Sequence, residues 1–243
     1  LDSFVIYMCL EGNFTLVYDV DKPVKVNKGE TLAIIGATGS GKSTIINLIP
    51  RFYDATSGEV LVNGINVLDY KVKDLRNLVA IASQKAALFK GTIQDNITYG
   101  SPIIDQERMD MALDIAKADF VKDLEQGLDS MVAQGGSNFS GGQKQRISIA
   151  RALYKNAPII IFDDTFSALD YKTDMLVRKK IKENLKDTTV IIIAQRIGTI
   201  MNADNIIVLD EGKIIGMGTH KQLLKSCSLY QEIALSQLSK EEL

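Results

Sequence analysis

The 243 residues suffice for one large domain or two small ones, and 46% hydrophobic against 24% charged is an ordinary globular balance. A net charge of −2 excludes a broad basic field of the kind that grips nucleic acid or an anionic membrane surface. No apolar run approaches the ~18 residues needed to span a bilayer, and the two cysteines, Cys9 and Cys227, have no metal-binding spacing and fit free thiols in a reducing compartment.

The chain opens on Leu1-Asp2-Ser3-Phe4-Val5, without the basic lead or small-residue cleavage site of a signal peptide. A cytosolic domain is expected, alone or as one part of a larger membrane protein. Val5-Ile6-Tyr7, Phe14-Thr15-Leu16-Val17-Tyr18 and Val24-Lys25-Val26 read as strands, and Asn27-Lys28-Gly29-Glu30 as a turn. Thr31-Leu32-Ala33-Ile34-Ile35 is a buried strand by composition. A glycine-rich loop follows, then Ile45-Ile46-Asn47-Leu48-Ile49 at helical spacing, ending near Pro50. Glu59-Val60-Leu61-Val62, Asn63-Gly64 and Ile65-Asn66-Val67 form a predicted hairpin, because Asn-Gly between apolar runs is the strongest short hairpin signal. Leu78-Val79-Ala80-Ile81-Ala82 is another buried strand, ending at Ser83-Gln84.

From about 92 to 154 the pattern turns helical. Met109, Ala112, Leu113, Ala116 and Phe120 share one face; Ile147, Ile149, Ala150 and Leu153 share another. After Pro158, Ile159-Ile160-Ile161-Phe162 is a strand ending in Asp163-Asp164. A helix over about 171–185 and the strand Val190-Ile191-Ile192-Ile193 come next. Ile206-Ile207-Val208-Leu209, Asp210-Glu211-Gly212 and Lys213-Ile214-Ile215 give a second hairpin, and 219–242 is helical and charged. Strands alternating with helices imply an α/β core with a mainly parallel sheet covered on both faces, into which the middle helical block is inserted.

Three stretches carry chemistry. Gly36-Ala37-Thr38-Gly39-Ser40-Gly41-Lys42-Ser43-Thr44 fits the phosphate-binding pattern Gly-x-x-x-x-Gly-Lys-Ser, between a strand and a helix as such a loop requires. Its glycines let several backbone N–H groups point at one phosphate at the positive end of a helix. Lys42 adds a point charge for the β- and γ-phosphates, and the Ser43 hydroxyl suits Mg²⁺. Asp163 ends a buried strand, the position of a carboxylate that holds Mg²⁺ at the carboxyl edge of an open α/β sheet. Between them, Ser140-Gly141-Gly142-Gln143 opens a helix with a second anion cradle. An N-cap accounts for the serine but not for the glycines and glutamine together.

With all three present, the chain resembles the ATP-binding-cassette (ABC) ATPases over roughly residues 14–237. The resemblance implies a P-loop NTPase (RecA-like) core at about 1–91 and 155–243, an antiparallel β subdomain and an α-helical subdomain at about 92–154, all in a single nucleotide-binding domain. It implies ATP and Mg²⁺ as ligands, with Ser43, Gln84 and Asp163 at the metal. Gln84 matches the glutamine that reaches the metal and the attacking water, and that faces the membrane domain. Ser167-Ala168-Leu169-Asp170 matches the loop that crosses between the two sites of a dimer. Phe89-Lys90-Gly91-Thr92-Ile93-Gln94-Asp95-Asn96-Ile97, Arg51-Phe52-Tyr53-Asp54 and Gly218-Thr219-His220 resemble the exporter branch. Tyr18 is the choice for the aromatic that stacks on adenine, with Tyr7 as substitute, because the stretch from Tyr18 to Gly29 is shorter than the family pattern.

Two departures stand out. The hydrolytic glutamate of the family is Asp164 here, and the histidine of its switch loop is Gln195, in Ala194-Gln195-Arg196. His220, the sole histidine, reads as structural. A group that polarises the attacking water must lie within hydrogen-bond reach of it. Aspartate is one methylene shorter than glutamate, and glutamine cannot carry charge or relay a proton as imidazole does. ATP binding is therefore expected with slow hydrolysis, as at the degenerate site of a heterodimeric bacterial multidrug exporter. The resemblance then implies a second nucleotide-binding domain to which Ser140-Gly141-Gly142-Gln143 is lent in trans, and coupling helices of a transmembrane domain fused ahead of Leu1. That puts the chain at the cytoplasmic face of a membrane, without a nucleic-acid partner. A non-transport ABC ATPase, an importer subunit and a nucleotide-sensing subunit are the readings weighed against it.

Overall fold

A computed structural model describes residues 4–8, 13–17, 23–55 and 58–239. Tyr18 and Cys9 lie outside the described residues. The strands are β1 (Phe4–Met8), β2 (Asn13–Val17), β3 (Pro23–Asn27), β4 (Thr31–Gly36), β5 (Gly58–Val62), β6 (Ile65–Asn66), β7 (Val79–Ala82), β8 (Gly91–Thr92), β9 (Met131–Val132), β10 (Ile159–Asp163), β11 (Thr189–Ile193), β12 (Asn205–Asp210) and β13 (Lys213–Gly218). The helices are α1 (Lys42–Leu48), α2 (Val72–Asn77), α3 (Ile93–Ile97), α4 (Gln106–Ile115), α5 (Gly141–Tyr154), α6 (Tyr171–Asn184), α7 (Ile197–Ile200), α8 (His220–Ser226) and α9 (Ser228–Gln237).

A six-stranded sheet in the order β13-β12-β4-β11-β10-β7 forms the centre. All its pairs are parallel except the edge pair β12–β13. Its central strands are buried nearly end to end, which is why they read as unbroken aliphatic runs. Alternate residues still go to opposite faces. Ala33, Ile35, Ile160, Phe162, Val190, Ile192, Ile206 and Val208 join one core with α4, α5, α6 and α9. Leu32, Ile34, Ile159, Ile161, Ile191, Ile193, Ile207 and Leu209 join the other, with Ile45, Ile46 and Ile49 at α1, Val60 and Val62 of β5, and Leu75 of α2.

A second sheet runs β3-β2-β1-β5-β6, antiparallel except where β1 pairs parallel with β5. The predicted Asn63-Gly64 turn is present, with φ of 55° and 73°, both in the left-handed region. Its second strand stops at Asn66 rather than Val67, because the Asn66 side chain accepts from the Leu68 N–H and starts a 3₁₀ turn. The helical block contains more than helices: β8 and β9 pair antiparallel inside it. Phe120 is not on α4, which ends at Ile115, but on a separate 3₁₀ turn that still packs on the core. The helix expected over 219–242 divides into α8 and α9 at Cys227, whose backbone is extended there, and residues 240–243 lie outside the described residues. Among the described residues no helix is long and apolar enough to cross a membrane.

Candidate functional site

The loop after β4 is built by close approach. A Cβ on Gly36 would meet the Leu209 carbonyl oxygen of neighbouring β12 at 2.1 Å, so only glycine lets the two strands close there. Gly39 and Gly41 have φ of 86° and 98°, which turns the chain so that Gly41 caps α1. Lys42 folds back over its own loop. Its Nζ donates to the Gly36 and Ala37 carbonyls, each at 2.7 Å, and lies 3.4 Å from Ser40 Oγ. Burial lowers the Lys42 pKa, while the carboxylates of Asp164 and then Asp163 oppose that shift.

Asp163 and Asp164 diverge at the end of β10. The Ser43 hydroxyl donates to Asp163 Oδ1 at 3.3 Å, bringing a hydroxyl and a carboxylate side by side. Burial raises the Asp163 pKa; the Ser43 hydrogen bond lowers it, Asp164 raises it and Lys42 lowers it. Such a pair of hard oxygens fits Mg²⁺, which takes one or two protein ligands and completes its shell with water and phosphate oxygens. Among the described residues there is no cluster of three or more His, Cys, Asp or Glu that would form an all-protein cage.

Asp164 turns the other way. Its φ of 45° is left-handed, which aspartate tolerates better than most residues. Its N–H donates to the Ile193 carbonyl at 2.9 Å, and the residue is 8% exposed. Its Oδ2 accepts from Gln84 Nε2 at 2.8 Å and from Gln195 Nε2 at 3.3 Å. Strand order explains the meeting. Gln84 follows β7, Asp164 follows β10 and Gln195 follows β11, and these three strands are parallel neighbours. Their carboxyl ends open on one edge, where α/β sheets bind ligands.

The result is a cleft of about 230 Å³. Thr38, Gly39, Gly41, Lys42, Ser43 and Thr44 form one wall; Gln84, Asp163, Asp164, Ile193 and Gln195 form the other. Gly36, Ala37 and Ser40 belong to the loop but not to its lining. The stretch Ser140-Gly141-Gly142-Gln143 does not line this cleft either. It opens α5 with a reciprocal cap: Ser140 Oγ accepts from the Gln143 N–H at 3.2 Å, and Gln143 Oε1 accepts from the Ser140 N–H at 2.9 Å. Helix capping thus accounts for Gln143 as well as Ser140, contrary to the expectation from sequence, and leaves only the two glycines outside it. Ser140 and Gly141 are exposed, and a Cβ on Gly141 would meet nothing within 4 Å. Tyr18 lies outside the described residues, and Tyr7 is on β1, opposite Thr15 of β2 and Leu61 of β5.

Sequence reasoning missed two residues, Thr165 and Gln237. Thr165 Oγ1 donates to the Ala82 carbonyl at 2.6 Å and ties the Asp164 turn to the strand that leads to Gln84. A second cavity of about 280 Å³ shares Asp164 and Gln195 with the cleft and is lined also by Arg196 and Gln237. Gln237 comes from α9, and no motif or periodicity marks it.

Comparison with known proteins shows the family and the fold. A family model described as "ABC transporter" matches residues 21–167. An uncharacterized ABC transporter ATP-binding protein of Mycobacterium tuberculosis is 46% identical over 221 residues, covering 89% of this chain and 38% of that protein. An ATP-dependent lipid A-core flippase of Photobacterium profundum is 45% identical over 84% of this chain and 35% of its own length. A putative multidrug export ATP-binding/permease protein of Staphylococcus aureus is 42% identical over 88% of this chain and 37% of its own length. The chain therefore spans well under half the length of these relatives. Among solved structures, a bacterial Atm1-family ABC exporter with ATP bound superposes with a TM-score of 0.86 at 36% identity, over 97% of this chain and 42% of that one.

Proposed function

The chain belongs to the ABC transporter family of ATP-binding, ATP-hydrolysing domains, and from that membership we propose that it is the nucleotide-binding part of an exporter half-transporter. In this reading it works at the cytoplasmic face of a membrane against a non-identical partner cassette. Its own site binds MgATP and hydrolyses it slowly. It lends Ser140, Gly141, Gly142 and Gln143 to the partner's nucleotide.

The Asp164 carboxylate carries the proposal. It stands where a water-polarising glutamate is expected, on a shorter side chain, with one oxygen already held by Gln84 and Gln195. A shortfall of about 1 Å in such a group costs on the order of 100-fold in rate. Gln195 donates a hydrogen bond toward a γ-phosphate but moves no proton. Binding draws on other residues. Lys42 would exchange its loop carbonyls for phosphate oxygens, the backbone around Gly39 and Gly41 would present N–H groups, and Ser43 and Asp163 would hold Mg²⁺. When bound, that ion neutralises phosphate charge. Gln84 would orient the attacking water. The exposed Ser140 cap, standing outside its own cleft, supports a role on a partner's nucleotide. Tyr18 is retained as the proposed adenine-stacking residue.

The test is equilibrium MgATP binding beside steady-state hydrolysis on the 243-residue chain. Tight binding with little turnover is expected, and, where the chain pairs with a second copy of itself, Asp164→Glu combined with Gln195→His is expected to raise turnover by on the order of 100-fold. Full-speed hydrolysis by the unaltered chain would end the degenerate-site reading.

A further inference from the structure

The loop that carries Gln195 is held from outside itself. Ile197 is the first residue of α7, and its N–H has no partner within that four-residue helix, as the first-turn donors of any helix do not. The residue at the capping position is Arg196, whose side chain makes no capping bond. Gln237, forty positions on in the last turn of α9, supplies what is missing. Its Oε1 accepts from the Ile197 N–H at 2.8 Å, and its Nε2 donates to the Gln195 carbonyl at 2.9 Å. One amide thus uses both ends, on main-chain groups either side of Arg196. The helix behind it is anchored: Tyr230 and Ala234 of α9 are fully buried, and Leu238 packs on the same core.

We propose that Gln237 is a positioning residue that fixes the Gln195-Arg196-Ile197 backbone and so aims the Gln195 amide at Asp164 and at the γ-phosphate. The proposal rests on the reading of Gln195 as the γ-phosphate contact. Without the clamp, the Gln195 side chain would start from a mobile backbone, and part of its ordering cost would fall on nucleotide binding. The C-terminal helix is thereby coupled to the site: a partner or segment that shifts α9 also loosens Gln195.

The quantity to measure is γ-phosphate discrimination, the ratio of the dissociation constants of MgADP and a non-hydrolysable MgATP analogue, on the full chain. Gln237→Ala and Gln237→Met are each expected to lower it about three- to ten-fold, the weight of one or two hydrogen bonds. Gln195→Ala should lower it as well, and adding Gln237→Ala to that variant should change nothing further. Hydrogen exchange at the Ile197 amide should accelerate in both Gln237 variants. If the alanine variant does not fold, the methionine variant, which keeps the side-chain length, carries the test. Loss of discrimination in Gln195→Ala with full discrimination in both Gln237 variants overturns this inference and leaves the Gln195 reading standing. Unchanged discrimination in Gln195→Ala overturns both. A methionine variant that behaves as wild type beside a defective alanine variant assigns Gln237 to packing and also overturns it.

Discussion

Asp163 and Asp164 are adjacent in sequence and opposite in circumstance. Asp163 faces Ser43 at the start of α1, while Asp164, at a φ of 45°, takes two glutamine amides on one oxygen. Burial raises the Asp163 pKa, so the native protein binds that proton more tightly than the unfolded chain. The resulting stability is fully present below the ordinary aspartate pKa of about 3.9 and is lost as pH rises through the folded value. At neutral pH the ionised group therefore destabilises the free protein, as a site awaiting a cation would. Asp163→Asn is expected to raise the melting temperature of the nucleotide-free chain at pH 7, with the gap closing toward pH 4, while weakening Mg²⁺-dependent ATP binding. Scanning calorimetry at the two pH values, beside binding with and without Mg²⁺, checks both halves.

At the scale of elements, α5 packs on the apolar core it shares with Leu88, Ile93 and Ile97, and one of its side chains adds a set of hydrogen bonds to the segment after Gln84. Arg151 donates to the Asn96 carbonyl at 2.7 Å, to Asn96 Oδ1 at 2.8 Å and to the Ala87 carbonyl at 2.7 Å, and its guanidinium lies 5.2 Å from the Phe89 ring centre. Asn96 is itself buried and holds both backbone groups of Phe89. The helix opened by Ser140 is thereby bound to the stretch that follows Gln84. Arg151→Met keeps much of the apolar stem but leaves these acceptors without their donor, and is expected to cost about 2–3 kcal/mol. Urea denaturation measures that. A midpoint within error of wild type would show that water replaces the arginine at no cost.

For the whole molecule, the feature to explain is that Ser140 stands outside the cleft formed by its own chain. Two cassettes arranged head to tail would give each cleft the other's Ser140 stretch. Ser140→Ala removes one half of the cap, worth about 1 kcal/mol of stability. It is expected to leave ATP affinity of the isolated chain unchanged. In a mixture with a cassette bearing glutamate and histidine at the two altered positions, it is expected to depress turnover several-fold. Equal turnover with and without the serine would remove the reason to assign that stretch to a partner's nucleotide.

The sequence alone determined the glycine-rich loop after β4 and the aliphatic strands, because each is written in consecutive residues, whereas Asp164 and Gln195 stood out only against the family resemblance. Glycine geometry, a lysine and a hydroxyl must be neighbours to cradle one phosphate, and a strand buried on both faces must be apolar throughout. Short or mixed elements were not legible in it. α2 buries only Leu75 and offers no periodicity; β8 and β9 are two residues each, inside a block that is otherwise helical. Nor did the sequence show that Gln84, Asp164 and Gln195 share one carboxylate oxygen, or that Gln237 grips the backbone beside it. Those meetings depend on which strands lie side by side and on where the last helix returns. Tertiary packing decides both, since it brings together residues that no local spacing relates.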